Sequence, residues 1–157
     1  MKTLLCYALI LGSALAMPVK KADVALLRPV EVIYIGGESD AVILKTDTDD
    51  VGIGTDVASA LEDMKQTSPA VIYLDTAEYL IIGPGATEEA AALKGTLKAS
   101  VQLCRTDGNP DLKQVAQYLP AHGKMPCFSQ WDEGEKLPLL HLEDDRIKIS
   151  EKDEKST

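Results

Sequence analysis

Apolar and polar positions follow two different spacings along this chain, and the change from one to the other divides it into strands and helices. Val30-Glu31-Val32-Ile33-Tyr34-Ile35 is rich in β-branched and aromatic residues, and Ala41-Val42-Ile43-Leu44 resumes the apolar run. Residues of this kind suit a pleated, packed surface. The intervening Gly36-Gly37-Glu38-Ser39-Asp40 has the chemistry of a hairpin loop. A second pair of runs comprises Ala70-Val71-Ile72-Tyr73-Leu74, bounded by Pro69 and Asp75, and Tyr79-Leu80-Ile81-Ile82, bounded by Gly83-Pro84-Gly85. Val32-Ile33-Tyr34 returns as Val71-Ile72-Tyr73, and Val42-Ile43 as Ile81-Ile82. This suggests a duplicated strand–strand–helix unit. Ordinary strand preference would produce the same recurrence.

Three segments have helical spacing. Val57, Leu61 and Met64 share a face after Thr55-Asp56, either of which suits an N-cap. After Thr87, with Glu88 and Glu89 placed favourably for the helix dipole, Ala90, Leu93, Leu97, Val101 and Cys104 line one face of a longer helix. Gly95 inside it would cost about 1 kcal/mol relative to Ala. Asn109-Pro110 supplies a cap and a first-turn proline for Leu112, Val115, Ala116 and Leu119, and Pro120 ends that helix. The expected fold is α+β: a small, mainly antiparallel sheet of about four strands with three amphipathic helices on one face. A parallel sheet is the alternative, because strands and helices alternate mid-chain.

The two ends add an address. Met1-Lys2-Thr3 is a short basic start, Leu4 to Leu11 is apolar, and Gly12-Ser13-Ala14-Leu15-Ala16 is mostly small. That order is a secretory signal peptide cleaved between Ala16 and Met17. The run falls short of the roughly 20 residues that span a bilayer. The expected layout is a signal peptide over 1–16, a flexible arm or short propeptide over 17–23, one globular domain over 24–142 and a charged, partly disordered tail over 143–157. Lys20-Lys21 is a candidate processing pair within the arm. After cleavage about 140 residues remain, the usual size of one domain.

Composition narrows the function classes. The chain has 25 acidic against 16 basic residues and a net charge of −9. Nucleic-acid binding and docking on anionic membranes both need clustered cations, so neither is expected. Cys6 leaves with the leader, and the remaining Cys104 and Cys127 are expected to form one disulfide in an oxidising compartment, worth about 3 kcal/mol. Asn109 precedes Pro110, so the only Asn is no glycosylation acceptor.

Motifs for catalysis fail on inspection. Asp47-Thr48-Asp49-Asp50-Val51-Gly52 starts like an EF-hand loop, but Ala58 stands where the bidentate Glu is needed. A weak Ca²⁺ site from Asp47, Asp49, Asp50 and Asp56 is the candidate metal chemistry, and a solvated acidic loop is the alternative. Gly83-Pro84-Gly85-Ala86-Thr87 joins strand to helix but lacks the phosphate-binding Lys, so it reads as a structural turn. His122 and His141 lie in no zinc motif, and no Ser sits in a nucleophile elbow. Phe128 and Trp131 read as packing residues beside Cys127. The expectation is therefore a secreted, acidic, non-catalytic protein without a cofactor, acting by extracellular binding of a protein or a small apolar ligand, or as a structural or secretion component. The alternatives are a small carrier of an apolar ligand and a processed regulator or inhibitor precursor.

Overall fold

The computed structural model describes residues 27–38, 40–143 and 146–150. The expected leader, with Ala16 and Met17, and the pair Lys20-Lys21 lie outside the described residues. In chain order the elements are β1 (Leu27–Pro29), β2 (Val32–Glu38), β3 (Ala41–Thr46), β4 (Val51–Gly54), α1 (Val57–Thr67), β5 (Val71–Tyr73), a 3₁₀ turn (Leu74–Thr76), β6 (Tyr79–Ile82), α2 (Thr87–Ala92), β7 (Gln102–Thr106), α3 (Leu112–His122), β8 (Leu139–Glu143) and β9 (Arg146–Ser150).

Seven strands form one mixed sheet in the order β4-β3-β2-β6-β7-β8-β9. Its centre, β2-β6-β7-β8, is parallel. An antiparallel meander, β2-β3-β4, completes one side and the β8-β9 hairpin the other. β1 and β5 pair separately as a short parallel ribbon. The α+β class stands, but the sheet is larger than the expected four strands and mainly parallel at its centre. The sequence carried the reason: Tyr79-Leu80-Ile81-Ile82 is buried at every position. A strand covered on both faces shows no polar alternation, which is the signature of parallel central strands.

Two cores follow from that double burial. On one face Ile33, Ile35, Val42, Leu44, Leu80, Ile82 and Leu103 pack against Val57, Ala60 and Met64 of α1, Ala90 of α2, and Phe128 and Trp131. On the other, Val32, Tyr34, Tyr79, Ile81, Cys104 and Leu140 lie under Leu112, Val115 and Leu119 of α3. The helices thus occupy both faces instead of the single face expected. Each fully buried aliphatic side chain contributes about 1.5–3 kcal/mol.

Helix α1 starts at a capping box. Asp56 Oδ1 accepts from the Ser59 backbone N–H at 2.7 Å, and Ser59 Oγ accepts from the Asp56 N–H at 3.1 Å. The helix lies directly on β4, because a β-carbon on Gly52 would strike the Ala60 carbonyl oxygen and one on Gly54 the Ser59 side chain. α1 also blunts the edge of the sheet. Asp63 Oδ2 accepts from the Ile53 N–H at 2.9 Å, and the Thr67 hydroxyl reaches the Val51 carbonyl at 3.4 Å. Two outward backbone groups are thereby withheld from an incoming strand.

Other expectations are corrected. The long second helix stops at Ala92. Gly95 takes φ +97°, a conformation glycine adopts freely, and the chain continues as turns into β7, where Cys104 sits. The third helix is capped by Asp111 instead of Asn109 and runs on through Pro120 to His122. The two Val-Ile-Tyr runs are not equivalent, since β2 is central and β5 belongs to the ribbon. The charged stretch after Glu143 includes β9, and residues 151–157 of the expected tail lie outside the described residues.

The expected disulfide does not form: Cys104 and Cys127 are both free thiols. An antiparallel bridge sets Cys127 opposite Gln102, two residues before Cys104. Diagonal neighbours of that kind have Cα atoms about 7–8 Å apart, beyond the usual reach of a disulfide.

Candidate functional site

Parallel sheets of this kind hold ligands in the crevice beyond the carboxyl ends of their strands. Here that end of β2, β6 and β7 carries Gly36-Gly37, Gly83-Pro84 and Asp107-Gly108-Asn109. Between them opens a groove of about 360 Å³, lined also by Tyr34, Ile43 and Lys45. A second cleft of about 290 Å³ shares Lys45 and Asn109 and runs on past Val51 to Asp111 and Lys113 at the start of α3.

The register explains the floor. Tyr34 pairs with Lys45, and Lys45 with Val51; Gly36 pairs with Ile43, and Ile43 with Ile53. Directly opposed residues point to the same face. These two cross-strand rows therefore lie on the α3 side of the sheet. α3 packs on β2 and the strands beyond it, leaving β3 and β4 uncovered on that side, so Val51 is 41% and Ile53 55% exposed. The Tyr34 ring leans to the carboxyl end of β2. Glycines 36 and 83 make room for it, since a β-carbon at either would come within 2.6 and 2.5 Å of its hydroxyl oxygen.

Most of the charged groups around the groove have a polar partner. Lys113 Nζ donates to Asp49. His141 Nδ1 stands 3.4 Å from Asp107 Oδ2. Asp111 Oδ1 caps α3 by accepting from the N–H groups of Lys113 at 2.9 Å and Gln114 at 3.4 Å. Lys45 differs. Its ammonium donates to Asn109 Oδ1 at 3.0 Å and lies 5.8 Å from the centre of the Tyr34 ring, so both partners are neutral.

The aspartates picked out as Ca²⁺ candidates are engaged separately. Asp47 Oδ1 accepts from the N–H groups of Glu31 at 3.1 Å and Val32 at 3.2 Å, closing the start of β2. Asp49 sits in the turn at φ +67° and pairs with Lys113. Asp50 is buried and accepts from Thr48 Oγ1 at 2.7 Å, Ser68 Oγ at 2.7 Å and Arg28 Nη1 at 3.4 Å. Asp56 caps α1. Among the described residues no three His, Cys, Asp or Glu side chains gather as a metal site.

Cys104 is buried among the α3-side core, and burial pushes its thiol up to about 12. Phe128 and Trp131 belong to the opposite core, their rings 6.0 Å apart. His122 stacks on Tyr118 at 5.9 Å, on the last turn of α3. Sequence reasoning passed over Tyr34, Ile43, Lys45 and Asp107. The available signal was the placement of Gly36-Gly37 and Asp107-Gly108-Asn109 just where strands end.

The whole is a mixed-sheet α+β domain with an open, partly apolar groove at the carboxyl edge. No family model, no curated protein and no solved structure matches this chain. Among the described residues no helix is long and apolar enough to cross a membrane.

Proposed function

We propose that this chain is a secreted, acidic, non-catalytic binding protein that recognises an extracellular protein partner through the uncovered face of β3 and β4. The observation that carries this reading is the pair of side chains Val51 and Ile53. They stand exposed on a sheet face that runs without a covering helix into the carboxyl-edge groove. Exposed apolar surface next to polar groups is the usual form of a recognition patch. The two described clefts are open to solvent, which supports recognition at the surface over carriage of a ligand in a lined hollow. Export rests on the order of residues 1–16.

Two measurements test it. N-terminal sequencing of the extracellular protein is expected to begin at Met17, or at Ala22 if Lys20-Lys21 is cut. An intact Met1 would refute export. A photo-reactive residue at position 53 is expected to crosslink one defined extracellular partner, while one at Lys148 in β9 does not. Equal labelling at both positions, or turnover of a substrate that is lost on a single groove substitution, would overturn the reading.

A further inference from the structure

We infer that the groove takes a segment of its protein partner in which a carboxylate is flanked by aliphatic side chains, the carboxylate resting on Lys45 and the aliphatic groups on Ile43 and Ile53. The inference rests on reading this face as the recognition surface, and it adds the chemistry recognised.

Charge complementarity sets the first half. Asp49 is paired with Lys113, Asp111 accepts from the first N–H groups of α3, and Asp107 Oδ2 lies 3.4 Å from His141 Nδ1. Among the described residues Lys45 is held by an amide oxygen and a ring face. Its ammonium has three donors, of which Asn109 takes one. Asn109 orients the cation without cancelling its charge. A neutral partner group would leave that charge unanswered, and a cationic one would be repelled by it.

Register sets the second half. Ile43 and Ile53 are directly opposed and lie one row from Lys45 and Val51. An aliphatic side chain two residues from the incoming carboxylate, on the same side of an extended segment, therefore meets Ile43 or Ile53 while the acid meets Lys45. The segment lies across the face and is not added as an eighth strand, because Asp63 and Thr67 already occupy backbone groups along the outer edge of β4.

The test is an amide-resolved NMR titration of the full chain with two peptides, acetyl-Leu-Ala-Glu-Ala-Leu-amide and acetyl-Leu-Ala-Gln-Ala-Leu-amide. The acidic peptide is expected to move the signals of Ile43, Lys45, Ile53 and Asn109, and to bind about two- to fivefold tighter than the neutral one, the range of an exposed ion pair. That preference is expected to vanish in Lys45→Gln and to persist in Lys65→Gln, which removes an exposed lysine of α1 that lies outside the groove. Equal binding of both peptides in the groove would overturn the carboxylate assignment and leave the recognition surface standing. So would a preference that survives Lys45→Gln. Failure of both peptides to move any groove signal would overturn the two readings together.

Discussion

The ring of Tyr34 fills the space that a side chain at residue 83 would need: a β-carbon on Gly83 would stand 2.5 Å from the Tyr34 hydroxyl oxygen and 2.9 Å from Cζ. Gly36 meets the same ring from β2, at 2.6 Å from the hydroxyl oxygen. Gly83→Ala must therefore displace the ring towards the groove, and overpacking of this kind costs about 1–3 kcal/mol. Because the cost arises from a single contact, it should fall in a Tyr34→Ala background. Urea denaturation followed by the fluorescence of Trp131, the only Trp and a buried one, measures the cycle. Strictly additive effects would contradict the packing described.

Gly52 presents the harder case. A β-carbon there would meet the Ala60 carbonyl oxygen and would lie 2.7 Å from Met64 Cβ and 3.0 Å from Met64 N. These atoms are mostly helix backbone, which cannot rotate aside as a phenol ring can. Gly52→Ala is expected to lift α1 from β4 and cost about 3 kcal/mol, the upper end of the overpacking range. It should also release the Ile53 N–H from Asp63 and speed its hydrogen exchange. A cost below that of Gly83→Ala would show that α1 sits less tightly on the strand.

Strand positions were the most legible part of this chain, and strand partners the least. Val32-Ile33-Tyr34-Ile35 and Tyr79-Leu80-Ile81-Ile82 announce themselves because both faces are buried. Nothing local distinguishes Val71-Ile72-Tyr73 from Val32-Ile33-Tyr34, yet one joins the ribbon and the other the centre of the sheet, since pairing is decided by distant residues. The false long helix has a similar origin. Ala90, Leu93, Leu97, Val101 and Cys104 are all buried, but in a helix, turns and a strand whose inward positions fall at helical intervals. Gly95 was the breaker in plain view. The groove was hidden for the same reason as the pairing, because Tyr34, Lys45, Pro84 and Asn109 meet only once four strands align.

Asp50 makes acid stability testable. Burial works against its carboxylate, but the hydroxyls of Thr48 and Ser68 and the Arg28 guanidinium outweigh it, so the group ionises below its ordinary 3.8. The unfolded chain then takes up this proton first as pH falls. The stabilisation is whole above that ordinary value and is lost as pH drops through the folded one. Asp50→Asn is expected to cost about 2 kcal/mol at neutral pH, typical of hydrogen bonds to a charged group. The gap between variant and parent should narrow below pH 3.8. A gap constant from neutral to strongly acid pH would mean that the ionised form is not what Thr48, Ser68 and Arg28 hold.

Cys104 and Cys127 should behave differently, and the difference reports on the strand that carries one of them. Cys104 faces the α3-side core, and burial raises its thiol from 9.0 to about 12, while Cys127 is half-buried next to β7. Only thiolate attacks a disulfide reagent, so native protein at mildly alkaline pH should modify at Cys127 first. Cys104 should react only as fast as the fold opens, with a rate that rises in urea together with unfolding. The same burial has a sign for stability. The folded state holds the proton longer than the unfolded one, so the contribution is whole below pH 9.0 and is lost as pH rises towards 12. Cys104→Ala should flatten that alkaline decline and leave the acid limb set by Asp50 unchanged. Peptide mapping after brief labelling decides the first point: prompt modification of Cys104 in folded protein would place its sulfur at the surface and undo the assignment of β7 to the centre of the sheet.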